Sequence, residues 1–120
     1  MAVVWIQFVE TGAFSARVRR FDLEDALRAL QWELVQDPER GAVDAGTGGL
    51  RKVRLADPKR GKGKRGGARV HYLWLPALER IYLVFVYGKG EQESLSTDQK
   101  KALRGVVQQI KREASKTLAE

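Results

Sequence analysis

Val3, Val4, Trp5, Ile6 and Phe8 form a short β-rich run that stops at Thr11-Gly12, which predicts a first strand. A helical turn or short helix is expected around Phe14 to Arg20. The period then changes. Leu23, Ala26, Leu27, Leu30 and Leu34 recur three or four residues apart, predicting an amphipathic helix of roughly 14 residues. Asp22 is placed to cap its start, and Glu24 and Asp25 suit the positive end of the helix dipole. Asp37-Pro38 closes it, because the residue before a proline is pushed out of the helical region. The Leu stripe reads as core.

The polar, Gly-rich stretch from Gly41 to Gly49 is a loop leading into Leu50-Arg51-Lys52-Val53-Arg54-Leu55. As a strand, that hexamer puts Lys52 and Arg54 on one face and Val53 and Leu55 on the other. Asp57 to Gly67 is a Pro/Gly/Lys/Arg connection. Two strands follow, Ala68 to Leu75 and Arg80 to Tyr87, joined through Pro76. The second is apolar almost throughout, so it is expected to be the central strand, covered on both faces. In the tail, Ser96 with Gln99 makes a capping box. Ala102, Leu103, Val106, Val107, Ile110 and Ala114 then mark one face of a helix to about Ser115, with Gly105 inside it at a cost of about 1 kcal/mol relative to Ala. The order is strand, helices, a three-strand meander and a C-terminal helix: an α+β fold, a small twisted and mostly antiparallel sheet flanked by helices, with residues 1–120 as a single domain.

Charge sharpens this picture. The chain has 120 residues, 22 Lys and Arg against 15 Asp and Glu, and a formal charge of +7. Nine of the bases and only one acid, Asp57, lie between Arg51 and Arg69, so this window carries +8 and the rest of the chain is close to neutral. A charge block of that kind raises a local field suited to a polyanion, with phosphate the obvious group. Its alternative is a solvated basic loop. Lys100, Lys101, Arg104, Lys111 and Arg112 read as the solvated side of the last helix, and with no helix pair carrying a basic recognition face, DNA binding is the weaker reading. The absence of cysteine removes disulfides and thiolate chemistry, and a single His excludes a multi-histidine metal site. There is no run of 18 apolar residues, and Met1 to Val9 has neither a basic leader region nor a small-residue cleavage site, so no membrane partner and a cytoplasmic location are expected.

The candidate chemistry lies in three blocks: Gly48 to Arg54, Gly61 to Tyr72, and Tyr87 to Glu91. Two cation-bearing strands joined by a Gly/Lys-rich loop bring their charges to one sheet face, where they can bind a phosphodiester. The loop leads into a strand, not a helix N-terminus, which argues against a nucleotide-binding P-loop. RNA cleavage by a ribose 2′-hydroxyl needs a base, cationic support for the pentacoordinate phosphate and an acid for the leaving oxygen. Crowded cations can supply all three, because like charge lowers a Lys pKa while Arg stays charged. Lys52, Arg54 and Arg69 are the candidates by shared face. His71, two residues after Arg69, shares that face as a possible proton donor or a structural residue. Tyr72 faces the other way, and core packing is expected for it and for Trp74. Glu91 and Glu93 have no second acid at a predictable position.

Over about residues 3 to 112, these blocks resemble the RelE superfamily of bacterial type II toxins, and within it the HigB-like branch. The resemblance is strongest in Gly46-Thr47-Gly48-Gly49-Leu50-Arg51-Lys52-Val53-Arg54, Lys64-Arg65-Gly66-Gly67-Ala68-Arg69-Val70 and Tyr87-Gly88-Lys89-Gly90-Glu91. It implies a compact toxin fold related to microbial ribonucleases. It also implies an mRNA interferase that enters the ribosomal A site and cuts translated message without a metal or other cofactor. A helix-turn-helix antitoxin would neutralise it, and operator DNA would be met only through that complex. By position, Lys52 and Arg54 match the family's basic pair, Arg69 its arginine after the Gly-Gly turn, and Lys89 its lysine at the end of the last strand; these four are the implied catalytic group. Arg51, Lys62, Lys64, Arg65 and His71 are the expected RNA contacts. Two departures stand out: Gly90 follows Lys89 where the best-known members have an arginine, and Leu95-Ser96-Thr97 occupies the place of their tyrosine. A non-catalytic RNA- or ribosome-binding module on the same fold is the alternative.

Overall fold

The computed structural model describes residues 5–61, 63, 66–88 and 90–120. Five strands, β1 (Gln7–Glu10), β2 (Ala42–Val43), β3 (Arg51–Leu55), β4 (Ala68–Leu75) and β5 (Arg80–Gly88), form one sheet in the order β1-β5-β4-β3-β2. The helices are α1 (Gly12–Arg20), α2 (Glu24–Gln36) and α3 (Thr97–Ala119). β1 runs parallel to β5, and every other pair is antiparallel. The fold is α+β, as the pattern of elements predicts.

The details depart from the sequence expectations in four places. β1 is set later than the Val3 to Phe8 run, because its register is fixed by pairing Gln7 to Glu10 with Arg80 to Leu83; Val3 and Val4 lie outside the described residues. β4, not β5, is the middle strand, with six consecutive buried residues from Ala68 to Leu73. Asp22 does not cap α2. It has a positive φ of 54° and its carboxylate takes a 3.0 Å contact from Lys59, while Leu23 occupies the cap position without a side-chain bond. α3 runs on to Ala119, started by the expected capping box: Gln99 N donates to Ser96 Oγ at 3.1 Å and Ser96 N to Gln99 Oε1 at 2.9 Å.

Two cores result. Under α1 and α2, Phe14, Val18, Leu27, Leu30 and Leu34 pack on Val53, Leu55, Val70, Tyr72, Ile81, Leu83 and Val86. On the other face of the sheet, Val107 with Leu103 and Ile110 of α3 packs on Leu50, Leu73, Val84, Leu75 and Tyr82. The latter set places α3 over the Leu73 to Leu75 half of β4. The half from Ala68 to His71 is where the basic residues gather.

A β-bulge controls what faces them. Tyr72 pairs with Leu83 but His71 pairs with Phe85, so Val84 is an extra residue on β5. An inserted residue flips the strand's remaining side chains to the opposite face. Ile81 and Leu83 point into the α1/α2 core; beyond the bulge Val86 does so, and Phe85 and Tyr87 come round beside His71 and Arg69.

β1 ends at its pairing with Leu83, so among the described residues the second half of β5 has no strand on that side. Thr11 and Arg17 take over. Thr11 Oγ1 donates to Val84 O at 2.9 Å and Arg17 Nε to Val86 O at 2.6 Å. The Arg17 guanidinium also pairs with Glu91 and lies 5.1 Å from the Phe85 ring centre.

Candidate catalytic face

Antiparallel pairing of β3 with β4 sets Lys52 opposite His71 and Arg54 opposite Arg69, and pairing of β4 with β5 sets Arg69 opposite Tyr87. Directly opposed side chains in such a ladder have Cβ atoms about 5 Å apart. One sheet face therefore carries Lys52, Arg54, Arg69, His71 and Tyr87 in three adjacent strands. Arg54 is exposed, Lys52 is half-buried, and Arg69 is 7% exposed, with Nη1 donating to Ala68 O at 3.2 Å. A buried guanidinium next to an exposed one makes the inner end of a phosphate-sized cationic strip. A cavity of about 350 Å³ at the start of β4 and the end of β5 is lined by Arg20, Phe21, Leu23, Gly67, Ala68 and Gly88 on the α1 side, and none of the strip's side chains lines it.

The other expected RNA contacts are distributed differently. Arg51 is turned to the opposite side of β3, where Nη1 donates to Gly41 O at 2.7 Å and Glu39 O at 3.2 Å. It anchors the segment after α2 and does not join the strip. His71 shares the strip's face but is fully buried, out of reach of a strand of RNA laid on the surface. Lys62, Lys64, Arg65 and Lys89 lie outside the described residues.

Compared with protein-family models, residues 10–120 match the family described as RelE toxin of RelE / RelB toxin-antitoxin system. The chain belongs to the RelE toxin family. As a RelE-family toxin it is one half of a toxin–antitoxin module, and its partner is an antitoxin.

Leu95 and Ser96, which the resemblance sets in place of a tyrosine, have structural roles in this RelE toxin. Leu95 is buried, and Ser96 caps α3. Glu91 belongs to the Arg17 pair, and its Oε1 accepts from Gly88 N at 3.2 Å. The hydrogen bond from Arg17 holds the Glu91 carboxyl below the usual carboxylate range, so it stays ionised and acceptor-only.

The structure also brings in residues that the sequence reading did not place at the site. Asp44 follows β2, and its Oδ2 lies 2.9 Å from Nε2 of His71, 27 residues on. Burial pushes the Asp44 carboxyl up, but the His71 hydrogen bond and the charges of Lys100, His71 and Lys52 outweigh it, and the group sits below its ordinary value. Burial depresses the His71 imidazole, the Asp44 bond and charge oppose this in part, and the net direction is down, towards a neutral ring. Tyr87 stacks on that ring, with centroids 5.7 Å apart, and burial raises its phenol further above the ordinary value. The signal for Tyr87 was its place at the end of an apolar strand just before Gly88-Lys89; the signal for Asp44 was an acid opening a Gly-rich loop.

The basic side of α3 is exposed at Lys101, Arg104, Lys111 and Arg112, as expected, with Lys100 half-buried, and three of these cations also reach the Gly-rich loop. Lys100 Nζ lies 3.5 Å from Asp44, Arg104 Nη1 donates to Gly46 O at 3.2 Å, and Lys111 Nζ to Gly48 O at 3.0 Å. Gly46, Gly48 and Gly49 all have positive φ, the left-handed backbone that lets the loop fold under these three cations. Thr47, fully buried between them, closes the turn through Oγ1, which donates to Asp44 O and accepts from Leu50 N. Among the described residues there is no cluster of three His, Cys, Asp or Glu side chains placed to hold a metal ion, and no helix long and apolar enough to cross a membrane.

Proposed function

We propose that this RelE toxin is a ribosome-dependent endoribonuclease that cuts translated mRNA in the A site, its antitoxin being a helix-turn-helix protein. The observation that carries this reading is the pairing of Lys52-Arg54 against His71-Arg69 on one sheet face, in a chain of this family. The ribose 2′-hydroxyl attacks the adjacent phosphorus, the P–O5′ bond breaks, and a 2′,3′-cyclic phosphate and a 5′-hydroxyl result. Arg54 and Arg69 stabilise the charge on the pentacoordinate phosphate, which fixed guanidinium forks do better than mobile ammonium groups. Lys52 as its neutral amine takes the 2′-hydroxyl proton, and Lys89 as its ammonium gives one to the leaving 5′-oxygen.

Inducing the chain without antitoxin is expected to arrest translation and growth, with new 5′ ends on translated message by primer extension. Lys52→Ala with Arg69→Ala should relieve the arrest. Unimpaired growth with abundant folded wild type would overturn the reading. Gly90 and the structural use of Leu95 and Ser96 favour one alternative, a non-catalytic ribosome-binding module. It predicts salt-sensitive ribosome binding with no new 5′ ends.

A further inference from the structure

His71 is the one histidine of the chain, and its ring is fully buried against the middle of the sheet. Only one of its nitrogens is satisfied. Nε2 meets Asp44, whereas among the described residues Nδ1 has no hydrogen-bond partner, and neither does the buried hydroxyl of the stacked Tyr87. An ionised carboxylate only accepts, so the Asp44 contact fixes the ring as its Nε2–H tautomer and leaves Nδ1 a bare acceptor. A hydrocarbon side chain at position 71 would pack the sheet without this cost, since an unpaired buried polar atom is unfavourable. What the imidazole adds is a directional tie. It joins β4 to a loop that Lys100, Arg104 and Lys111 hold against α3.

We propose that His71, clamped by Asp44 and stacked on Tyr87, is a positioning residue that sets the spacing of Lys52 and Arg69 for the phosphodiester in its transition state. The proposal rests on the ribonuclease reading above. Lys52 is the direct cross-strand neighbour of His71, and Arg69 that of Tyr87. The two buried rings thus stand beside the two cations and fix their bases. Cations displaced by an ångström still attract a polyanion, but they meet the reacting phosphate poorly, so the tie acts on turnover more than on binding. The charged and titratable groups around the imidazole are Asp44 from the loop, Lys52 from β3, Arg69 on its own strand, Tyr87 from β5 and Lys100 from α3. Protonating Nδ1 would add positive charge among Lys52 and Lys100 and create a buried N–H without an acceptor, so acid works against the clamp.

The experiment is cleavage of a defined message on translating ribosomes by the full chain, with kcat and KM followed from about pH 5.5 to 8 across the ordinary imidazole range. His71→Phe keeps a stacked ring and loses the Asp44 bond; it is expected to lower kcat about tenfold or more, leave KM within about twofold, and lose the acid limb that the wild type shows. Asp44→Asn, which keeps an acceptor for the Nε2 proton, should stay near wild type at neutral pH, and Asp44→Ala should fall as far as His71→Phe. Wild-type kcat in both His71→Phe and Asp44→Ala, or a loss carried by KM alone, overturns the proposal. Folding is checked by circular dichroism, and should His71→Phe not fold, the two Asp44 variants decide. A wild type that cuts nothing removes the ribonuclease reading, and the positioning role is then read by NMR. An Nε2–H imidazole at neutral pH and a shifted Arg69 Nε–H signal in Asp44→Ala support it; an Nδ1–H imidazole or an unmoved Arg69 signal overturns it.

Discussion

The hydroxyl of Tyr72 donates to Pro38 O at 2.7 Å and accepts from Gly41 N at 3.1 Å, so a core side chain of β4 stitches down the chain where it leaves α2. Removing that oxygen leaves a buried N–H and a carbonyl without their partner. Tyr72→Phe is expected to lower stability by about 1 to 3 kcal/mol, read as a shifted denaturant midpoint with an unchanged slope. An unaltered midpoint would show that solvent satisfies both groups.

His71 gives stability a pH dependence whose sign follows from its burial. Its folded pKa lies below the ordinary 6.5, so it is neutral in both states above that value and contributes no penalty there. As pH falls below 6.5 the unfolded chain takes up the proton first, and stability drops until the folded-state value is passed. Asp44, itself held below 3.8, adds a second loss only at much lower pH. Because the chain has one His, unfolding midpoints at about pH 7.5 and 5.5 isolate the effect. The fall should be clear in the wild type and much reduced in His71→Phe; equal falls in both would reassign it to other groups.

Arg51 and Lys52 are neighbours in sequence with opposite duties. Arg51→Ala breaks the bonds to Gly41 O and Glu39 O and is expected to cost about 1 to 2 kcal/mol. Lys52→Ala should leave the melting temperature within a degree or two, by the modest weight of a half-exposed cation, yet weaken growth arrest. Melting curves and plating efficiency of the two variants would separate these duties, and a reversed pattern would refute the assignment.

Glycines 67 and 105 should respond in opposite directions to alanine. A Cβ on Gly67 would lie 2.0 Å from Leu55 O, a backbone atom with no room to retreat. Gly67→Ala is therefore expected to disrupt the β3–β4 junction next to Arg69 and to reduce both stability and toxicity. Gly105 has open space around it in the middle of α3, and Gly105→Ala should stabilise by about 1 kcal/mol through helix propensity alone. Thermal melts of both variants provide the check.

What could be read from the sequence was local. The extent of β4, from Ala68 to Leu75, and the Ser96–Gln99 box follow from strand alternation, Pro76 and cap chemistry, all within a few residues of one another. The shared face of Lys52 and Arg54 with Arg69 and His71 follows from a period of two in each strand plus antiparallel pairing. What could not be read depends on distant partners. β2 is two residues long and exists because β3 is beside it. The bulge at Val84 leaves no mark in an apolar run, so the face on which Tyr87 lies follows only from the register. Asp44 meets His71 across 27 residues, and no spacing rule foretells such a contact.

The Arg17 contacts have one more consequence. A bare strand border invites another chain to dock and extend the sheet, which is how many β-rich proteins begin to aggregate. Here the outer border of β5 beyond Leu83 is closed by side chains: Thr11 and Arg17 occupy the carbonyls of Val84 and Val86, and Glu91 keeps the guanidinium in place. A short parallel strand can thus end early without leaving an adhesive flank, and the molecule keeps to itself at the border where its own pairing runs out.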